Sequence, residues 1–158
     1  VHGGETDLFD FHSYERLDDL QRYFRELDEE DRLEVPLLYC EKTDLRYRKG
    51  QPVAFSECGG IALAAEYATA ETSEVNRGAV LSESGWGYGK REKEGEEFVA
   101  RYEKLITLVQ SAKKLSGFCY TQLYDVEQEV NGFYRADRSD KLTEFQKRRI
   151  REVNLKRV

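Results

Sequence analysis

The chain has 158 residues, of which 39% are hydrophobic and 35% are charged, and its formal net charge at pH 7 is −6. This length suits one domain with its own core. A net acidic chain without a long basic run argues against a nucleic-acid partner. No stretch approaches the roughly 18 consecutive apolar residues typical of a membrane span. We therefore expect neither nucleic acid nor a membrane as a partner.

The chain begins at Val1 and contains no methionine, so we expect it to be a processed chain or a piece of a longer protein. Its first ten residues, VHGGETDLFD, are polar and acidic, unlike a signal peptide. Cys40, Cys58 and Cys119 have no metal-ligand spacing and lie in apolar runs, which predicts buried, reduced thiols. This pattern favours a reducing compartment such as the cytoplasm, and we expect no metal site.

The first predicted elements are a strand, a helix and a second strand. Residues 5–12 alternate apolar and polar side chains, which is typical of a strand. A helix is predicted over 14–28, with Ser13 as its candidate N-cap. One helical face is apolar at Leu17, Leu20, Phe24 and Leu27. The run QPVAFSEC over 51–58 predicts a second strand, whose continuous apolar centre suits a parallel strand covered on both faces.

The second half of the chain is predicted to contain a long loop, a helix, a strand and a last helix. Glycines recur through 68–95, so we interpret this stretch as a loop with GWGYGK at its centre, and loops of this length are usually functional or disordered. Helical periodicity returns over 96–114. The stretch SGFCYTQL predicts a strand over 116–123, and a basic helix is predicted over 141–152.

Strands and helices therefore alternate along the chain, which predicts an α/β fold of parallel βα units within a single partial domain, residues 1–158. Ligands of such folds bind beyond the carboxyl ends of the strands, where His12, Glu57, Tyr120 and Gln122 fall. Gly59 and Gly60 would leave space beside the Glu57 carboxylate. Plainer interpretations stay open, because Glu57 could be a salt-bridged strand end and His12 a structural histidine.

Several segments together resemble one known family. SECGGIAL, GWGYG and GFCYTQLYDVEQEVNGFYRADR are similar to the C-terminal part of the catalytic barrel of glycoside hydrolase family 2, which contains β-galactosidases, β-glucuronidases and β-mannosidases. HSYE resembles the family's His-Asp-Tyr segment, with Ser13 in place of Asp, and Cys58 stands where the family usually has an aromatic residue. The resemblance runs from about Asp10 to Lys141. It implies a fragment of a TIM (β/α)8 barrel, roughly strands six to eight.

The resemblance implies a retaining glycosidase acting on a carbohydrate substrate without a cofactor. Glu57 matches the family's nucleophile, and we expect His12 and Tyr14 to donate hydrogen bonds to it, which keeps it ionised. Tyr120 matches an aromatic residue that would line the sugar-binding subsite, and Trp86 would wall the same pocket or a leaving-group site. Further candidates, for the rim of the pocket, are Gln122, Asp125 and Glu127. The sequence does not identify the sugar.

The family's acid/base glutamate follows an asparagine, and this chain has no Asn-Glu pair. Its asparagines, Asn76, Asn131 and Asn154, precede Arg, Gly and Leu. We therefore expect the isolated chain to be inactive and, as a cut barrel with open strand edges, to self-associate. The alternative is a non-catalytic module that binds carbohydrate or protein through Trp86 and Tyr120. Retention of Glu57 favours the enzyme, because an unpaired buried charge is costly.

Overall fold

The computed structural model describes residues 6–14, 16–35, 46–63, 73–75, 79–82, 85–92 and 94–156. The chain divides into two compact units. The first contains Val1–Cys58 and Leu108–Cys119, and the second contains Gly59–Thr107 and Tyr120–Val158. Among the described helices, none is both long enough and apolar enough to cross a membrane.

The described helices are Leu17–Glu30 (α1), Gly95–Ser111 (α2) and Glu144–Leu155 (α3). The described strands are Phe9–Ser13 (β1), Val53–Gly59 (β2), Ile61–Leu63 (β3), Ser73–Val75 (β4), Ala79–Ser82 (β5), Gly85–Glu92 (β6) and Leu115–Thr121 (β7). The predicted helices correspond to α1, α2 and α3, and the three predicted strands correspond to β1, β2 and β7, with ends displaced by a few residues. Strand β3 was not among the predicted elements.

The N-cap of α1 differs from the predicted residue, and α3 begins with a capping box. Ser13 is the last residue of β1, so it does not cap α1; the N-cap is Arg16, which makes no side-chain capping hydrogen bond. At α3, the Thr143 side chain accepts a hydrogen bond from the Gln146 backbone, and the Gln146 side chain accepts one from the Thr143 backbone. The T-x-x-Q spacing in the sequence is the signature of this capping box.

The loop predicted over 68–95 is wrong, because β4, β5 and β6 all lie within it. They belong to a four-stranded sheet in the order β3-β6-β5-β4, in which β4, β5 and β6 are antiparallel neighbours and β3 runs parallel to β6. Glycine at every second position of GWGYG marks a strand here. A Cβ on Gly87 would lie 2.5 Å from the Ala62 Cβ, so glycine allows the two strands to approach closely.

The first unit is built on a three-stranded sheet in the order β1-β2-β7, of which Leu115–Cys119 of β7 belong to this unit. β1 and β2 are parallel, as the alternating pattern predicts. The buried face of this pair carries Phe11 and Phe55, whose rings stack at 4.6 Å between centroids. Phe24 of α1 packs edge-on against Phe55 at 5.8 Å. The apolar face of α1 therefore covers one face of the sheet.

The second unit has a separate core between strands and helices. Its buried residues are Ile61, Leu63, Phe98, Val99, Tyr102, Ile106, Leu142 and Val153. Tyr102 of α2 donates a hydrogen bond to Asn154 Oδ1 of α3 at 2.8 Å. The Arg149 guanidinium of α3 binds Glu103 on α2 and holds the pKa of that carboxyl below its ordinary value. These polar contacts fix α3 against α2 above the apolar core.

Candidate active site around Glu57

Glu57 lies near the carboxyl end of β2 with one hydrogen-bond donor on each carboxylate oxygen. The Tyr14 hydroxyl donates to Oε1, and His12 Nδ1 lies 2.8 Å from Oε2. Tyr14 directly follows β1, which brings both donors alongside β2. The expected hydrogen bonds from His12 and Tyr14 are therefore present.

The Glu57 carboxylate is open to solvent as well as hydrogen-bonded. The exposed fractions of the side chains are 33% for Glu57 and 39% for His12. Within the described part of the chain, the hydrogen-bond partners of this carboxylate are an imidazole and a phenol, and no lysine or arginine binds it. The His12–Glu57 contact has the geometry of an ion pair, so the arrangement also fits a salt-bridged strand end. It leaves a carboxylate that is oriented yet accessible to another molecule.

Cys58, the next residue, points to the opposite face of β2 and is completely buried. Burial, with the nearby Cys119 and Glu57, raises the pKa of its thiol to about 12. The prediction of a buried thiol is therefore correct for Cys58 but wrong for Cys119, which is exposed on β7. The difference arises because Ser116–Cys119 of β7 are exposed on both faces. Cys40 lies outside the described residues.

Gly59 and Gly60 do not leave the empty space that the sequence predicts. Gly59 has φ +92, and a Cβ there would lie 2.1 Å from Cε2 of Tyr120. Gly60 is buried with φ +55, donates to the Thr121 carbonyl at 2.8 Å and accepts from the Tyr88 N–H at 2.8 Å. Both positions need glycine for a left-handed backbone, and Gly59 also for contact with a ring. Their role is in packing the second unit.

Tyr120 packs into the second unit. Its ring stacks on Phe133 at 4.7 Å between centroids and meets the edge of Tyr102 at 5.0 Å. Gly59 approaches the same ring. These neighbours cover part of the Tyr120 ring, and the residue is half-buried. The peptide bond between Thr121 and Gln122 is cis.

Gln122 and Asp125 belong to the segment that follows β7. The Gln122 amide donates to Asn131 Oδ1 at 2.8 Å and to Glu129 Oε2 at 3.2 Å. Asp125 Oδ1 binds Lys141 Nζ at 2.8 Å and accepts from the Gly132 N–H at 2.9 Å. These bonds cross-link the segment, so both side chains have structural partners.

Glu127 and Trp86 are the two remaining residues that the sequence predicts for the site. Glu127 is exposed at a tight turn with φ +52. Trp86 lies in β6 instead of in a loop, and its side chain is outside what the structure describes. Neither is brought to Glu57 by a described contact.

Sequence reasoning missed two polar residues beside Glu57. Ser56 Oγ donates to Asp10 Oδ2 at 2.7 Å, on the face of the sheet away from Phe11 and Phe55. Asp10 occupies a polar position in the alternating pattern of β1, and the pattern gives it no special role. The available signal was the pair Ser56-Glu57, two successive polar residues where strict alternation allows one.

Neither a scan against protein-family models nor a search of curated proteins found a match. Among the described residues, no three His, Cys, Asp or Glu side chains converge into a metal-binding group.

Proposed function

We propose that this chain supplies the nucleophile of a retaining β-glycosidase and that Glu57 is that nucleophile. The observation that carries the proposal is the hydrogen-bonding of Glu57, with Tyr14 on Oε1 and His12 on Oε2. The two contacts come from different sides of the carboxylate, one on each oxygen. They also hold the carboxylate in one orientation, and orientation supplies much of the rate of such reactions.

The proposed chemistry has two steps. In the first, a Glu57 oxygen bonds to the anomeric carbon while the bond from that carbon to the leaving oxygen breaks, and an acid gives the leaving oxygen a proton. In the second, the same group takes a proton from water, whose oxygen displaces Glu57 from the sugar. Tyr14 and His12 stay bound to the carboxylate that is regenerated.

The resemblance assigns no acid/base residue to this chain, because the sequence contains no Asn-Glu pair. The isolated chain is therefore proposed to lack useful turnover. A leaving group such as dinitrophenolate departs without taking up a proton. Substrates that carry it can therefore react with the nucleophile even where no general acid is present.

Covalent trapping tests the proposal. The protein encoded by the full reading frame is incubated with activated 2-deoxy-2-fluoro glycosides of several sugars, and adducts are mapped by peptide mass spectrometry. An adduct on Glu57, absent from Glu57→Gln, supports the nucleophile and identifies the sugar. An adduct on another carboxylate refutes the assignment. No adduct from a folded protein favours the alternative, a non-catalytic binding module.

The binding module has less support. It was predicted to hold its partner through Trp86 and Tyr120, but the Tyr120 ring packs against Phe133 and Tyr102 within the second unit. A module without catalysis also has no evident use for two donors placed on one accessible carboxylate.

A further inference from the structure

The β1–β2 pairing changes register just before Glu57. Phe11 pairs with Phe55, but the next residue of β1, His12, pairs with Glu57. Ser56 is therefore an extra residue on β2. Two residues of one strand opposite one residue of its neighbour form a β-bulge, a feature that bends a strand and re-aims its side chains.

The extra residue decides which face of the sheet Glu57 occupies. Side chains alternate along a regular strand, so a residue two positions after Phe55 would share its buried face. With Ser56 inserted, Cys58 takes the buried position opposite Ser13 instead. Glu57 is thereby placed opposite His12 on the other face. The bulge keeps the carboxylate out of the aromatic layer around Phe55, where an unpaired charge would be costly.

Side-chain hydrogen bonding ties the extra residue to β1. Ser56 Oγ lies 2.7 Å from Asp10 Oδ2 and 3.3 Å from the Phe11 carbonyl oxygen. A serine hydroxyl has one proton to donate, and the shorter distance favours the carboxylate. Asp10 pairs with Ala54, just before the register change. The hydroxyl therefore anchors the bulge to the last regular pairs of the neighbouring strand.

We propose that Ser56 and Asp10 are positioning residues, which fix the bulge in β2 and so hold Glu57 beside His12 and Tyr14. Their importance for catalysis rests on the proposed function, because it assumes that Glu57 is the nucleophile. Their effect on the register of β2 is independent of the proposed function, and it can be measured without following catalysis.

The first experiment measures the position of Glu57 in the 158-residue chain by NMR. In the wild-type chain, nuclear Overhauser effects should connect the Glu57 Hγ protons with the ring protons of Tyr14 and His12. Ser56→Ala should weaken or remove them, because the extra residue loses its anchor. Asp10→Ala should do the same by removing the acceptor, and it serves as the second variant if Ser56→Ala fails to fold.

Two controls separate anchoring from a general loss of structure. Ser56→Thr keeps the hydroxyl and should restore the contacts. Ser111→Ala removes another hydroxyl of the first unit that donates to a carbonyl, that of Leu108 at 2.7 Å, and should leave them unchanged. Contacts of Glu57 that persist at wild-type strength in folded Ser56→Ala and Asp10→Ala chains overturn the proposal.

A kinetic arm distinguishes this proposal from the one on which it rests. In the protein encoded by the full reading frame, Ser56→Ala should lower the maximal rate of covalent trapping by about 10- to 100-fold, the scale of a small misplacement of a reacting group. The glycoside concentration for half-maximal rate should change little. If the wild-type protein forms no adduct, the proposed function fails, whereas the NMR contacts still decide whether Ser56 fixes the register.

Discussion

The imidazole of His12 and the carboxylate of Glu57 lie side by side across the parallel β1–β2 pair, with 2.8 Å between Nδ1 and Oε2. The Tyr14 hydroxyl occupies the other carboxylate oxygen. A carboxylate bound in this way is fixed in orientation and partly open to solvent.

Tyr14→Phe should slow covalent trapping of Glu57. A hydrogen bond to a charged group contributes about 1.5–3 kcal/mol, so we expect a rate about 10- to 100-fold lower if the bond is stronger in the transition state. Adduct formation is measured by intact mass in the full-length protein. Tyr134→Phe is the matched control, because Tyr134 is also partly buried and its ring packs on Tyr124. A Tyr14→Phe rate equal to that of wild type would show that the phenol does not assist Glu57.

Gly59→Ala should strongly destabilise the chain. The new Cβ would overlap the Tyr120 ring, since the nearest ring carbon lies 2.1 Å away, and φ at this position is +92. The backbone strain alone costs about 1–3 kcal/mol, and the overlap adds to it. Gly117→Ala is the control, because a Cβ there meets nothing within 4 Å. Urea unfolding curves compare the two, and equal stabilities would refute the close Gly59–Tyr120 contact.

Asp125→Ala should remove the charged partner of a buried ammonium group, which would keep its hydrogen bond to the Val130 carbonyl. The exposed fraction of the side chain is 1% for Lys141 and 11% for Asp125, and their charged atoms are 2.8 Å apart. Removing one member of a buried pair costs about 3–5 kcal/mol. The double variant Asp125→Ala/Lys141→Met removes both charges and should recover most of the loss. Thermal unfolding monitored by circular dichroism measures both, and a double variant no more stable than the single one would contradict the pairing.

Cys119 should react with iodoacetamide far faster than Cys58. The Cys58 thiol is buried and its pKa is about 12, so almost no thiolate forms near pH 8, and thiolate is the reactive form. Because the folded pKa is raised above the unfolded value of about 8.5, folding stability is expected to fall as pH rises from that value towards 12. Peptide mass mapping after alkylation at pH 8 measures the two sites. Rapid modification of Cys58 in the folded chain would contradict its burial.

The 158-residue chain should self-associate through β7. Residues Ser116–Cys119 of this edge strand are exposed, and the exposed fraction of Phe118 is 39%. Open strand edges with apolar side chains favour association. Phe118→Lys should shift the sedimentation profile towards monomer, whereas Phe145→Lys, at an exposed aromatic position on α3, should not. A monomeric wild-type chain at high concentration would refute the prediction.

Elements with local signals can be predicted from the sequence alone. The apolar spacing of α1 and the apolar run of β2 depend only on neighbours in the chain, and both elements were predicted near their observed ends. The sequence also placed Glu57 at a strand end, with His12 and Tyr14 as its donors. The prediction of a loop over 68–95 is wrong, because glycine occurs both in loops and in strands that pack closely against another backbone.

The face on which Glu57 lies depends on the pairing of β1 with β2 and cannot be predicted from β2 alone. One extra residue in β2 reverses that face, and whether Ser56 is extra depends on its pairing with β1 and on Asp10, 46 residues away in sequence. The same holds for Gly59, where both a φ of +92 and the nearby Tyr120 ring require glycine. Register and close approach are properties of two segments together, and a pattern read along one segment contains no information about its partner.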